Sequence, residues 1–145
     1  MIDVLLDTSV IVKWYHEVAE PEVPQARAVL HAHQRAEISV LVLDLTLYEY
    51  GNVLLKSLRK PADQVAVWVE DLIQLCGSPI SLQPAWRRDA AELGGAHGLT
   101  YYDAAYAAAA RGLRIPFITA DKLLLASGLA ESATDFCQRL RLPLV

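Results

Sequence analysis

Short apolar strands alternate with amphipathic helices along the whole chain, and this alternation constrains the fold more than any other feature. Residues 2–6 (Ile-Asp-Val-Leu-Leu) are apolar and stop at Asp7-Thr8-Ser9. That is the mark of a buried strand running through a polar turn into a helix. Residues 38–42 and 115–119 repeat the pattern, and residues 80–82 and 142–145 read as shorter strands. Helices are expected over residues 10–16, 25–35, 46–59, 63–75, 85–97, 100–111, from 122 onward and over 132–140. In the third, Leu47, Tyr50, Val53, Leu54 and Leu58 form one apolar stripe. Lys60-Pro61 ends it, because the residue before proline avoids the helical region. Gly112 is placed to close the alanine-rich helix before it. Alternation of this kind predicts an α/β domain whose mostly parallel sheet is covered by helices on both faces.

No linker, repeat or low-complexity tract divides the chain, so residues 1–145 read as one domain. A hydrophobic share of 54% and a mean hydropathy of +0.26 exclude a disordered chain. The apolar runs fall far short of the roughly 20 residues that a membrane span needs. Asp3 and Asp7 bracket the first apolar run with no basic segment before it, so no secretory signal is expected. The 2 cysteines, Cys76 and Cys137, are too few for a disulfide framework, and a reduced, cytoplasmic protein is the expectation. With 13 basic and 17 acidic residues the net charge is −4, which argues against holding nucleic acid by bulk positive charge.

Four of the acids stand out. Asp7 and Asp121 each follow an apolar strand, at the edge of an open α/β sheet where ligands bind. Each is equally placed to cap the helix that follows. Glu49 lies inside an apolar helical pattern and shares a face with Asn52; Asp103 opens the alanine-rich helix. An acid among apolar neighbours needs a partner, because burying an unpaired charge is costly. For Glu49 that partner could be a surface base, and for Asp103 the dipole of its own helix. Taken together, the four suggest a site for a hard cation, Mg²⁺ or Mn²⁺, which takes oxygen ligands. Such an ion activates water and offsets charge on a phosphodiester. The scattered histidines and the two cysteines offer no competing ligand set.

Asp7-Thr8-Ser9 after the first strand, Glu49-x-x-Asn52 in the third helix, Tyr102-Asp103-Ala104 opening a helix and Ile118-Thr119-Ala120-Asp121 after a late strand resemble the PIN domain. The likeness is nearest to the single-domain VapC toxins of prokaryotic toxin–antitoxin pairs, and it covers essentially the whole chain. It implies a five-stranded parallel sheet and a small Mg²⁺- or Mn²⁺-dependent endoribonuclease. Asp7, Glu49, Asp103 and Asp121 would be its metal-binding, catalytic acids. Thr8, Ser9 and Thr119 would be the hydroxyls that organise them, and Asn52 the polar companion of the helix acid. The likeness also implies an antitoxin that covers an apolar groove, and often a homodimer. Two departures stand out. Members often carry a proline shortly before the helix glutamate, where this chain has Leu43-Asp44-Leu45-Thr46, and residues 129–140 are more helical than the usual link to the last strand.

On this reading RNA is cut by a metal-activated water, without a protein nucleophile. Lys13, Lys56, Arg59, Lys60 and Lys122 are candidate phosphate contacts, Lys13 and Lys122 above all because they follow Asp7 and Asp121. Trp14, Tyr15, Tyr48 and Tyr50 could stack on bases. A PIN fold that binds RNA or protein without cutting is the alternative. A phosphohydrolase of the haloacid-dehalogenase type is disfavoured, since it wants a second aspartate where this chain has Ser9. Setting the four acids aside leaves 13 acids against 13 bases. The excess charge is therefore that of one site, and bound cations would neutralise most of it.

Overall fold

The computed structural model describes residues 1–16 and 19–144. Strand β1 (Ile2–Leu6) is the centre of the sheet, with β2 (Ile38–Leu41) on one side and β3 (Phe117–Ile118) on the other, all parallel. Helices α1 (Thr8–Ile11) and α2 (Val23–Gln34) connect β1 to β2. They are followed by α3 (Asp44–Asn52), a π-helical turn (Val53–Ser57), α4 (Ala62–Cys76), α5 (Pro84–His97) and α6 (Tyr101–Leu113); α7 (Lys122–Ser127) and α8 (Ala133–Leu140) come after β3. Side chains alternate across a strand. Accordingly Val4 and Leu6 enter a core shared with α1 to α4 and α8, while Leu5 enters a second core built on α5, α6 and α7. Both faces of the sheet are covered, as the apolar, non-alternating sequence of β1 requires.

Three strands stand where about five were expected: the one expected at 80–82 is reduced to a single bridge, and the outer place beside β3 is held by a bridge at Glu131 rather than by the strand expected at 142–145. Ile80 pairs with Leu43 beyond β2, its N–H donating to Val42 O at 2.9 Å and its carbonyl accepting from Asp44 N at 3.0 Å. Pro79 before it lacks an N–H, and α5 begins at Pro84, so the ladder has no room to grow. Glu131 bridges Ile118 beyond β3 in the same way. Ser132 immediately turns the chain into α8, its hydroxyl accepting from Asp135 N at 3.0 Å. The strand expected at 142–145 is not formed by residues 142–144, and Val145 lies outside the described residues. Leu142 N instead bonds Cys137 O at 2.9 Å, closing α8 with Arg141 at φ +56°.

Other boundaries also move. The helix expected over 10–16 is only the short α1, after which Lys13 and Trp14 N–H bond three residues back. The helix expected over 46–59 starts at Asp44 and widens at its end, with Leu58 N reaching Val53 O five residues back. Gly112 does not end α6. It lies within the helix against the indole of Trp86 on α5, where a β-carbon would overlap the ring, and Arg114 at φ +57° makes the cap. Among the described residues, no helix is long and apolar enough to cross a membrane.

Candidate active site

Asp7 leaves the carboxyl end of β1, and Thr119 and Asp121 leave that of β3, so the parallel register brings them together. Asp7 stands at the N-cap of α1, yet its side chain makes no cap bond. Its Oδ2 instead accepts from Ser9 Oγ at 2.8 Å and Thr119 Oγ1 at 2.7 Å. Thr119 Oγ1 in turn accepts from Asp121 N at 3.0 Å, and Ser9 Oγ from Ala120 N at 3.1 Å. Asp121 does cap its helix, accepting from Leu124 N at 3.0 Å. Burial raises the Asp7 carboxyl above its usual range; the Thr119 and Ser9 bonds oppose this, and the Asp121 charge adds to it.

Glu49 is half-buried on α3, where Oε1 accepts from Tyr106 OH at 2.6 Å and Thr8 Oγ1 at 3.0 Å. No surface base pairs with it among the described residues. Burial raises its carboxyl and the Asp7 charge adds to this, while the two hydroxyl bonds pull the other way. Asp103 follows the cap Thr100, whose hydroxyl accepts from Asp103 N at 3.1 Å. Its carboxyl is pushed up to about 6 by burial, and next by the charges of Asp121 and Asp7, with a smaller push from Glu49. The four acids thus share one field although they come from four parts of the chain.

A cleft of about 480 Å³ opens over Asp7, Ser9, Glu49, Asp121 and Lys122. Lys122 is exposed at its edge. Lys13 also lines the cleft, but it is only 2% exposed and is anchored, donating from Nζ to Pro21 O at 2.7 Å with Glu20 at 3.7 Å. The ammonium staples the loop before α2 to the cleft wall rather than standing in solvent. Asn52 is exposed at the end of α3 and lies outside the cleft lining, apart from Glu49's hydrogen bonds. Lys56, Arg59 and Lys60 do not line the cleft either. Of the aromatics expected to stack on bases, Trp14 and Tyr50 are core residues, whereas Tyr15 and Tyr48 are exposed.

The donor set is all oxygen and fits a hard cation. None of the ion pairs among the described residues involves Asp7, Glu49, Asp103 or Asp121, so their charge is uncompensated by protein bases. Among those residues no three Asp, Glu, His or Cys side chains are gathered closely enough to enclose an ion by themselves.

The family model for the PIN domain matches residues 4–126. The chain belongs to the PIN-domain family. Its fold is similar to that of PAE2754 from Pyrobaculum aerophilum, with a TM-score of 0.64 and 26% identity over 97% of this chain and 98% of that one. It is also similar to FitAcB from Neisseria gonorrhoeae, with a TM-score of 0.64 and 20% identity over 89% of this chain and 96% of that one. No curated protein sequence matches the chain. PIN domains are generally nucleases and typically use divalent metals, which supports a hydrolase acting on nucleic acid. The PIN match stops within α7. Beyond it α8 is tied to α2, with Glu22 accepting from Thr134 N at 2.9 Å and Oγ1 at 2.6 Å.

Two residues at the PIN site were not legible as site residues in the sequence. Tyr106 and Thr46 sit in apolar helical patterns, and both are fully buried. Their spacing held a signal all the same: Thr46 is one helical turn before Glu49, and Tyr106 one turn after Asp103.

Proposed function

We propose that the chain is a divalent-metal-dependent endoribonuclease, using Mg²⁺ or Mn²⁺, and the toxin of a VapBC-type toxin–antitoxin pair. The observation that carries this reading is that Asp7, Glu49 and Asp121 line one cleft at the carboxyl edge of a parallel sheet, with the Asp103 carboxyl raised by burial and by the charges of all three. Asp7, Glu49, Asp103 and Asp121 would hold the ion. Mg²⁺ usually keeps several waters and binds through one or two carboxylates plus substrate phosphate, so a closed protein cage is not required. Bound there, the cation supplies charge compensation for the phosphodiester and activation of the attacking water. Ser9 and Thr119 fix the Asp7 carboxylate, and Lys122 at the edge of the cleft meets backbone phosphate. The likeness to VapC toxins supports the remaining parts: RNA as substrate, a cytoplasmic setting, a cognate antitoxin protein and a homodimer.

The test is cleavage of total RNA with and without Mg²⁺ or Mn²⁺, the new ends mapped by sequencing. The wild type should cut only with metal. Asp7→Asn and Asp103→Asn should each lose more than the roughly 100-fold that removal of an outer-shell partner costs. Full metal-dependent cutting by both variants would sink the assignment.

One observation favours a second reading, a PIN fold that binds RNA or protein without cutting: among the described residues the acids are not drawn together into a ready ligand set. Calorimetry separates the two, since a pure binding module has no need to take up Mn²⁺.

A further inference from the structure

Tyr106 lies in the middle of α6, wholly buried, its ring stacked on Phe117 at 5.7 Å with the planes 6° apart. A buried phenol needs an acceptor for one proton. This one meets three oxygens: Glu49 Oε1 at 2.6 Å, Thr46 Oγ1 at 2.9 Å and Thr8 Oγ1 at 3.0 Å. Counting protons fixes the direction of the chain. An ionised carboxylate only accepts, so Tyr106 and Thr8 both donate to Oε1 and Thr46 donates to the phenol oxygen. The distance from Tyr106 to Oε1 is that of a charge-assisted O–H···O⁻ bond. Two donors on one oxygen leave Oε2 without a partner among the described residues, on a side chain that lines the cleft. Stability alone does not call for this, because Thr46 and Thr8 would satisfy the phenol without the carboxylate.

We propose that Tyr106 is a positioning residue whose hydroxyl, backed by Thr46, locks the Glu49 carboxylate so that its second oxygen is held ready for a divalent cation. The inference rests on the nuclease reading and names a residue that acts on the ion only through Glu49. It also explains why α6 carries a tyrosine between alanines: the same helix brings Asp103 to the site, so Tyr106 ties the two acid-bearing helices α3 and α6 at a fixed offset.

The test is Mn²⁺ binding, measured by calorimetry on metal-free protein, with melting curves alongside. Tyr106→Phe keeps the ring and its stack on Phe117, and it should weaken Mn²⁺ binding about 10- to 100-fold while still melting cooperatively. Combined with Glu49→Gln it should add nothing to the loss caused by Glu49→Gln alone, because the hydroxyl acts through that carboxylate. Thr46→Val, which leaves the Tyr106–Glu49 bond in place, should cost much less. Should Tyr106→Phe alone fail to fold, Tyr106→Phe/Thr46→Val removes both hydroxyls without orphaning either and carries the same test. Binding by Tyr106→Phe within about twofold of wild type, or losses that multiply in the double variant, would overturn the positioning role and leave the nuclease reading standing. A wild type that takes up no Mn²⁺ would overturn both.

Discussion

Asp7 and Asp121 hold equivalent sequence positions, each just after a strand and just before a helix, yet their side chains do different work. Asp121 spends Oδ1 on the cap of α7, whereas Asp7 leaves its helix uncapped and takes hydroxyls instead. Helix capping therefore accounts for Asp121 in part and for Asp7 not at all. Thr119 is the joint between them, since one hydroxyl donates to Asp7 Oδ2 at 2.7 Å and accepts from Asp121 N at 3.0 Å. Replacing it with isosteric valine removes a bond to a charged group and orphans a backbone donor. Thr119→Val should lower stability by about 1.5–3 kcal/mol, read by urea denaturation. A loss below about 0.5 kcal/mol would mean that the bond contributes nothing net.

At the scale of elements, what was legible in the sequence is what local pattern dictates. β1 is apolar at every core position and its bounds match the reading; α4, α5 and α8 shift by a residue or two, within the fraying expected of helix ends. What was illegible depends on contacts made by distant residues. Whether Ile80 and Glu131 extend into strands is decided by Pro79 and Ser132 beside them and by how far β2 and β3 run. Gly112 reads as a helix stop by its type, and only its closeness to Trp86, 26 positions earlier in the numbering, explains it. Two opposing effects act in Gly112→Ala. Alanine gains about 1 kcal/mol of helix propensity. The added methyl overlaps an indole that is 7% exposed and cannot swing aside, and overpacking of this kind costs about 1–3 kcal/mol. The clash should win, so Gly112→Ala should melt lower than wild type; a variant that melts higher would show that α5 slides away from α6 freely. The candidate acids were legible because Asp7 and Asp121 each follow a strand, Asp103 opens a helix and Glu49 interrupts an apolar helical pattern. The hydroxyls of Tyr106 and Thr46 were not, because buried aromatic and β-branched residues look the same in sequence whether or not an acid lies beyond them.

For the molecule as a whole, Asp7, Glu49 and Asp103 couple the site to the folding equilibrium through their protons. Asp103 is held at about 6 by burial and by Asp121 and Asp7, and burial also raises Asp7 and Glu49. In the unfolded chain these carboxyls titrate near 4. Between about pH 4 and pH 6 the folded, metal-free protein therefore holds protons that the unfolded chain has released, and stability must fall as pH rises through that window. The stabilising contribution is present at the acid end and is gone once Asp103 ionises. The exposed Arg35–Glu37 pair pulls in the opposite sense, since Arg35 lowers the Glu37 carboxyl, but a surface pair contributes little. The comparison that isolates the site is the melting temperature of wild type against Asp103→Asn across this range without metal: the variant should show the shallower decline with pH and melt higher near neutrality, where it lacks one of the repelling charges. With Mn²⁺ present the trend in the wild type should reverse, because the ion competes with the protons and gains affinity as they leave. Parallel pH profiles for wild type and Asp103→Asn, with no reversal by Mn²⁺, would show that Asp103 does not share a field with the other three acids.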